Sequence, residues 1–102
     1  MTDALLQFLD AETTIAFDDL LRGSGLAREE VIALVEHGVF EPTGAAPAWR
    51  FESRTLIVAR RAARLRDAFG VDAAGIALAL AYRERIESLE RRVRELECAL
   101  LR

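Results

Sequence analysis

Apolar residues recur at helical spacing through most of this chain, and glycine, proline and polar clusters punctuate the pattern. Phe17-Asp18-Asp19-Leu20-Leu21-Arg22-Gly23-Ser24-Gly25 reads as a short helix. Its carboxylates sit in the first turn, where the helix dipole favours them, and glycines end it. Ala27 to His37 reads as a second helix with an apolar stripe of Val31, Leu34 and Val35, stopped by Gly38. Two short helices joined through Ser24-Gly25-Leu26 form a helix-turn-helix pattern. Val39-Phe40-Glu41 then suggests a strand, Pro42 to Pro47 a loop, and Trp49-Arg50-Phe51 a returning strand with Trp49 and Phe51 on one face. These two strands would make a small wing. Ala4 to Leu9 is apolar but too short for periodicity to choose between strand and helix.

A third helix is expected from Ser53, as N-cap, to Phe69, with Gly70 closing it. Asp72 is the expected cap of a fourth helix running nearly to the end, with Gly75 in its first turn. Along that helix Ile86, Leu89, Val93, Leu96 and Leu100 step by three and four residues. This is the spacing of a coiled-coil seam, and Ala79 and Tyr82 extend it backward by one heptad. A helix of this length overshoots what so small a globular unit can cover. The expectation is a homodimer with Tyr82, Ile86, Leu89, Val93, Leu96 and Leu100 in the interface. The fold class expected is mainly α: a winged helix-turn-helix at 1–80, with a two-stranded wing, followed by a coiled-coil segment at 81–102.

Charge changes the functional picture. Up to Trp49 the chain holds nine carboxylates against Arg22 and Arg28; beyond it arginine dominates and lysine is absent throughout. An acidic N-terminal half repels nucleic acid and attracts a basic protein surface. The single cysteine, Cys98, rules out an internal disulfide and falls on the outer face of the heptad. The first nine residues hold no base and no long apolar run, so a signal peptide is not expected and cytoplasmic location is the default. No stretch has the ~18 apolar residues of a membrane helix.

Catalysis needs proton-exchanging or nucleophilic groups held together. His37 stands alone at a helix end, Cys98 has no metal-ligating neighbours in sequence, and the glycines around Ser24 lack the lysine of a phosphate loop. No catalytic, metal or cofactor constellation is present in the pattern, so an enzyme is not expected.

The order of elements resembles the DNA-binding module of the MerR family. Gly25-Leu26, Gly38-Val39-Phe40-Glu41-Pro42 and Trp49-Arg50-Phe51 fall in register with it. MerR-type activators carry an Arg-Tyr-Tyr-Glu run on the second helix that grips the DNA backbone; here the run is Ile32-Ala33-Leu34-Val35. Specific DNA binding neutralises about 6–10 phosphates. This helix offers Arg28 against Glu29, Glu30 and Glu36. The third helix does carry Arg54, Arg60, Arg61, Arg64 and Arg66, so a MerR-like DNA-binding regulator stays as the alternative.

A narrower resemblance rests on Val39-Phe40-Glu41-Pro42, Trp49-Arg50-Phe51, Ala59-Arg60-Arg61-Ala62-Ala63-Arg64-Leu65-Arg66, Gly75-Ile76-Ala77-Leu78-Ala79-Leu80 and Ile86-Glu87-Ser88-Leu89. In this order the segments resemble the CbpM family of chaperone-modulatory proteins. The resemblance implies binding to the J-domain of a CbpA or DnaJ-like co-chaperone, which keeps it from stimulating its Hsp70 partner, DnaK. A J-domain presents a basic helix to DnaK, so a competitor for it should present acids. The candidates are Asp18, Asp19, Glu29, Glu30 and Glu36, with Ile32 as an apolar centre.

Overall fold

The computed structural model describes residues 13–101. The apolar stretch at residues 4–9 lies outside them. Four helices and one small sheet follow in the order β1 (Thr14–Ala16), α1 (Phe17–Ser24), α2 (Arg28–Glu36), β2 (Arg50–Glu52), α3 (Thr55–Phe69) and α4 (Ala73–Leu100). The helix-turn-helix is where the glycines place it. Gly25 ends α1 at φ 81°, a left-handed conformation that costs a residue bearing a Cβ about 1–2 kcal/mol.

Helix α2 closes on a Schellman motif. The Gly38 N–H donates to Val35 O at 3.0 Å and the Val39 N–H to Leu34 O at 2.9 Å, with Gly38 at φ 78°. This cap corrects the expected wing. The Val39 N–H is consumed by the helix end and Pro42 has none, so Val39-Phe40-Glu41 does not enter a ladder. The two-stranded antiparallel sheet instead pairs β2 with Thr14–Ala16, in the register Thr14–Glu52, Ile15–Phe51 and Ala16–Arg50. On the other side of β2, a single bridge between Thr43 and Arg50 closes the loop, with N···O distances of 2.8 and 3.1 Å.

The start of α3 is a second correction. Ser53 is not the N-cap; Arg54 is, and it makes no side-chain cap bond. Ser53 belongs to the sheet end, since its N–H donates to Thr13 O at 2.8 Å and the residue is fully buried. Asp72 does cap α4, its carboxylate accepting from the Gly75 N–H at 3.0 Å.

Phe17, Leu20, Leu26, Val31, Leu34, Phe40, Phe51, Leu56 and Ile76 fill the core. Ala59, Ala62 and Ala63 give α3 a small-residue face against it. Phe51 is the hub: Phe17, Phe40 and Trp49 meet its ring edge-on at 5.8, 6.3 and 6.2 Å between centroids. Trp49, expected in the strand, lies just before β2, but its ring still meets that of Phe51 and is also stacked on Phe17 at 5.6 Å.

Helix α4 has 28 residues, about 42 Å at 1.5 Å per residue. Its first turns pack against α2 and α3. From Ala81 to Leu101 no residue is buried. Tyr82, Ile86, Leu89, Val93 and Leu96 are each 49–62% exposed, and Leu100 more so. No helix among the described residues is long and apolar enough to cross a membrane.

Candidate partner-binding face

Six residues were singled out by sequence, and the structure divides them. Asp18 and Asp19 open α1 and are exposed. Each is engaged: Asp18 takes Arg28 at 2.6 Å, and Asp19 takes Arg22 one turn on. Arg28 also lies over the Phe17 ring, 4.7 Å from its centroid, a cation–π contact that fixes it beside the α1–α2 junction. These carboxylates are largely neutralised by cations of the same two helices.

Glu30 is a structural residue of the turn. It sits at the third position of α2, half-buried, and accepts from the Ala27 N–H at 2.8 Å, the backward half of a capping box. The same Oε1 takes Arg66 of α3 at 2.5 Å. Arg66 also donates to Gly25 O at 3.3 Å and to Asp67 at 2.9 Å. The Asp67 and Glu30 hydrogen bonds raise the Arg66 pKa further above its ordinary value, so it stays a cation. Arg60 donates to Gly23 O at 2.9 Å. Two of the five arginines around α3 thus hold carbonyls of the helix-turn-helix turn instead of facing outward. This wiring is absent from the sequence reading, because Arg66 and Glu30 are 36 residues apart and no spacing rule connects them.

Glu29, Ile32 and Glu36 remain. With Ala33 they occupy one face of α2 at positions i, i+3, i+4 and i+7, opposite the buried Val31 and Leu34. Glu29 and Glu36 are exposed and form no ion pair among the described residues, whereas Ile32 is an exposed aliphatic between them. The helix that would read a DNA groove therefore presents an anionic stripe with an apolar centre. No cation lies on that stripe, and Arg28 is held by Asp18 and Phe17.

The comparisons agree with this architecture. Residues 15–98 match the model of the MerR HTH family regulatory proteins. A chaperone modulatory protein CbpM of Coxiella burnetii (strain Dugway 5J108-111) is 36% identical over 90 residues, 87% of this chain and 85% of that protein. Those of Pseudomonas putida (strain W619) and Pseudomonas entomophila (strain L48) are 32% identical over 90 residues, 87% of this chain and 83% of each. The chain belongs to the CbpM family of chaperone modulatory proteins.

The helix-turn-helix of this CbpM-family chain lies within the stretch that matches the MerR HTH family. These relatives are named as modulators and regulators, not as enzymes. His37 caps α2 at the surface, its N–H donating to Ala33 O at 3.0 Å, and Cys98 is an exposed free thiol. No group of three or more metal-ligating side chains occurs among the described residues.

Proposed function

We propose that this CbpM-family chain is a chaperone modulator that binds the J-domain of a CbpA or DnaJ-like co-chaperone and blocks its stimulation of Hsp70 (DnaK). The carrying observation is the outer stripe of α2: two carboxylates, Glu29 and Glu36, that form no ion pair among the described residues and flank exposed Ile32. A basic helix laid against the stripe would find salt-bridge partners at both ends and an apolar contact between. Exposed carboxylates raise the encounter rate with a basic surface, and the desolvated centre slows escape. Inhibition follows from masking, because the basic J-domain helix that engages Hsp70 is the one covered. The relatives' printed name supports the chaperone-modulating part of this reading.

Asp18, Asp19 and Glu30 act here mainly by shaping α2, and Glu29, Ile32 and Glu36 make the contact. Residues 81–102 form the pairing segment, through Tyr82, Ile86, Leu89, Val93, Leu96 and Leu100, so the binding unit is a cytoplasmic homodimer without a cofactor. The test is calorimetric titration of the chain with the purified J-domain of a CbpA-like protein. Glu29→Arg with Glu36→Arg should weaken binding by roughly a hundredfold, the scale of two charge-assisted contacts turned repulsive. Asp19→Asn should leave it within about twofold. An unchanged affinity in the double variant rejects the α2 stripe. Tight, steeply salt-dependent binding of random duplex DNA by the native chain would favour the DNA-binding alternative.

A further inference from the structure

Helices α3 and α4 leave a groove of about 440 Å³ between them. Leu65 and Leu80, partly buried against the core, line it. Ile57 and Phe69 line it too, and they are 40% and 72% exposed. Arg61, Arg64 and Arg83 reach the same groove, and none of the described residues lining it is a carboxylate. Arg83 is held by Glu87 at 3.0 Å. The guanidiniums of Arg61 and Arg64 have no ion-pair or hydrogen-bond partner among the described residues, unlike Arg60 and Arg66 of the same helix. The groove thus joins open apolar surface to unspent positive charge. Its complement is a short apolar segment that carries acids.

The chain has such a segment. Residues 1–12 contain Leu5, Leu6, Phe8 and Leu9 together with Asp3, Asp10 and Glu12, and no Lys, Arg or His. They also leave the globular end near the groove. The next residue, Thr13, accepts at its carbonyl from the Ser53 N–H at 2.8 Å, and Ser53 stands two residues before α3 begins. Ile57 follows Ser53 by four residues, about one helical turn. From Ile57 to Phe69 the helix runs about 18 Å at 1.5 Å per residue. Twelve residues span about 18 Å along a helical path and about 40 Å along an extended one, so either path is long enough.

We infer that residues 1–12 dock in the α3–α4 groove of their own chain. Their leucines and Phe8 cover Ile57, Leu65 and Phe69, and their carboxylates approach Arg61 and Arg64. The attachment at Thr13 makes the contact intramolecular. A short tether sets an effective concentration in the millimolar range, so a contact with a dissociation constant of about 1 mM between separate molecules is roughly half-formed within one chain. An acidic peptide from another protein lacks that advantage. Nucleic acid fits the groove poorly. Three guanidiniums fall short of the about 6–10 phosphates that specific binding neutralises, and exposed Ile57 and Phe69 would face those phosphates.

The single native cysteine makes the test clean. In the full-length, isotope-labelled chain carrying Cys98→Ser, Gln7→Cys takes a nitroxide label, and amide broadening is mapped. The strongest broadening outside the labelled segment should fall on Ile57 to Phe69 and on Leu80. Silence of α3 overturns the docking. A second sample mixes the isotope-labelled chain without nitroxide and an unlabelled chain that carries it. Here α3 should stay sharp; broadening in this sample makes a second copy the occupant and overturns docking within the chain. Charge is tested by exchange. Arg61→Glu with Arg64→Glu should reduce the α3 broadening severalfold, and adding Asp3→Arg and Asp10→Arg should bring it back. Broadening that ignores the first pair, or that the second pair fails to restore, contradicts the assignment of the acids to these two arginines.

Discussion

The two ends of this molecule treat their side chains in opposite ways. From Thr14 to Leu80 the large apolar residues mostly go inward and many charges are spent on neighbours: Asp18 on Arg28, Asp19 on Arg22, Glu30 on Arg66. From Ala81 onward every seam residue is exposed, and Arg85, Glu90, Arg92 and Glu97 form no ion pair among the described residues. The globular end closes on itself, while the distal helix leaves its apolar stripe exposed. The α2 stripe is the acidic exception at the closed end. Glu29, Ile32 and Glu36 are left over after the internal pairing is done, and that is why the proposed contact is placed on them.

The contrast can be broken at either end. The largest effect is expected from Phe51→Ala, which removes the ring that Phe17, Phe40 and Trp49 surround. It should cost about 3–5 kcal/mol in chemical unfolding, whereas Leu89→Ala on the distal helix should barely move the unfolding of the globular end and should weaken pairing instead. Next comes Arg66→Met, which strips Glu30 and Gly25 O of their shared donor. A loss of about 1–2 kcal/mol is expected, discounted for the pair's partial exposure. Because α2 stays folded but less firmly held, J-domain affinity should fall by less than in the Glu29 and Glu36 double variant. Smallest is Asp72→Ala, which deletes the α4 cap and should cost about 1 kcal/mol by thermal unfolding.

Local chemistry was legible in the sequence and distant chemistry was not. Gly25, Gly38 and Gly70 announced the ends of α1, α2 and α3 because each takes the positive φ that side chains resist. Asp72 announced α4, and the seam of Ile86, Leu89, Val93, Leu96 and Leu100 carried its own period. Strand β1 escaped because Thr14–Ala16 is three residues long and finds β2 across most of the globular end. Val39-Phe40-Glu41 misled because its composition suits a strand, while the Schellman cap had already taken the Val39 N–H. Glu30 looked like a contact residue for the same kind of reason. Its acid was visible, but the arginine that claims it sits on another helix.

The partition of acids into spent and free makes one direct demand on solution behaviour. An isotope-labelled chain titrated with the J-domain should show its largest amide shifts at Glu29, Ile32, Ala33 and Glu36, with little change around Arg60 and Arg66. Shifts centred instead on Ile57, Arg61, Arg64 and Phe69 of α3, with the α2 stripe silent, would contradict the account.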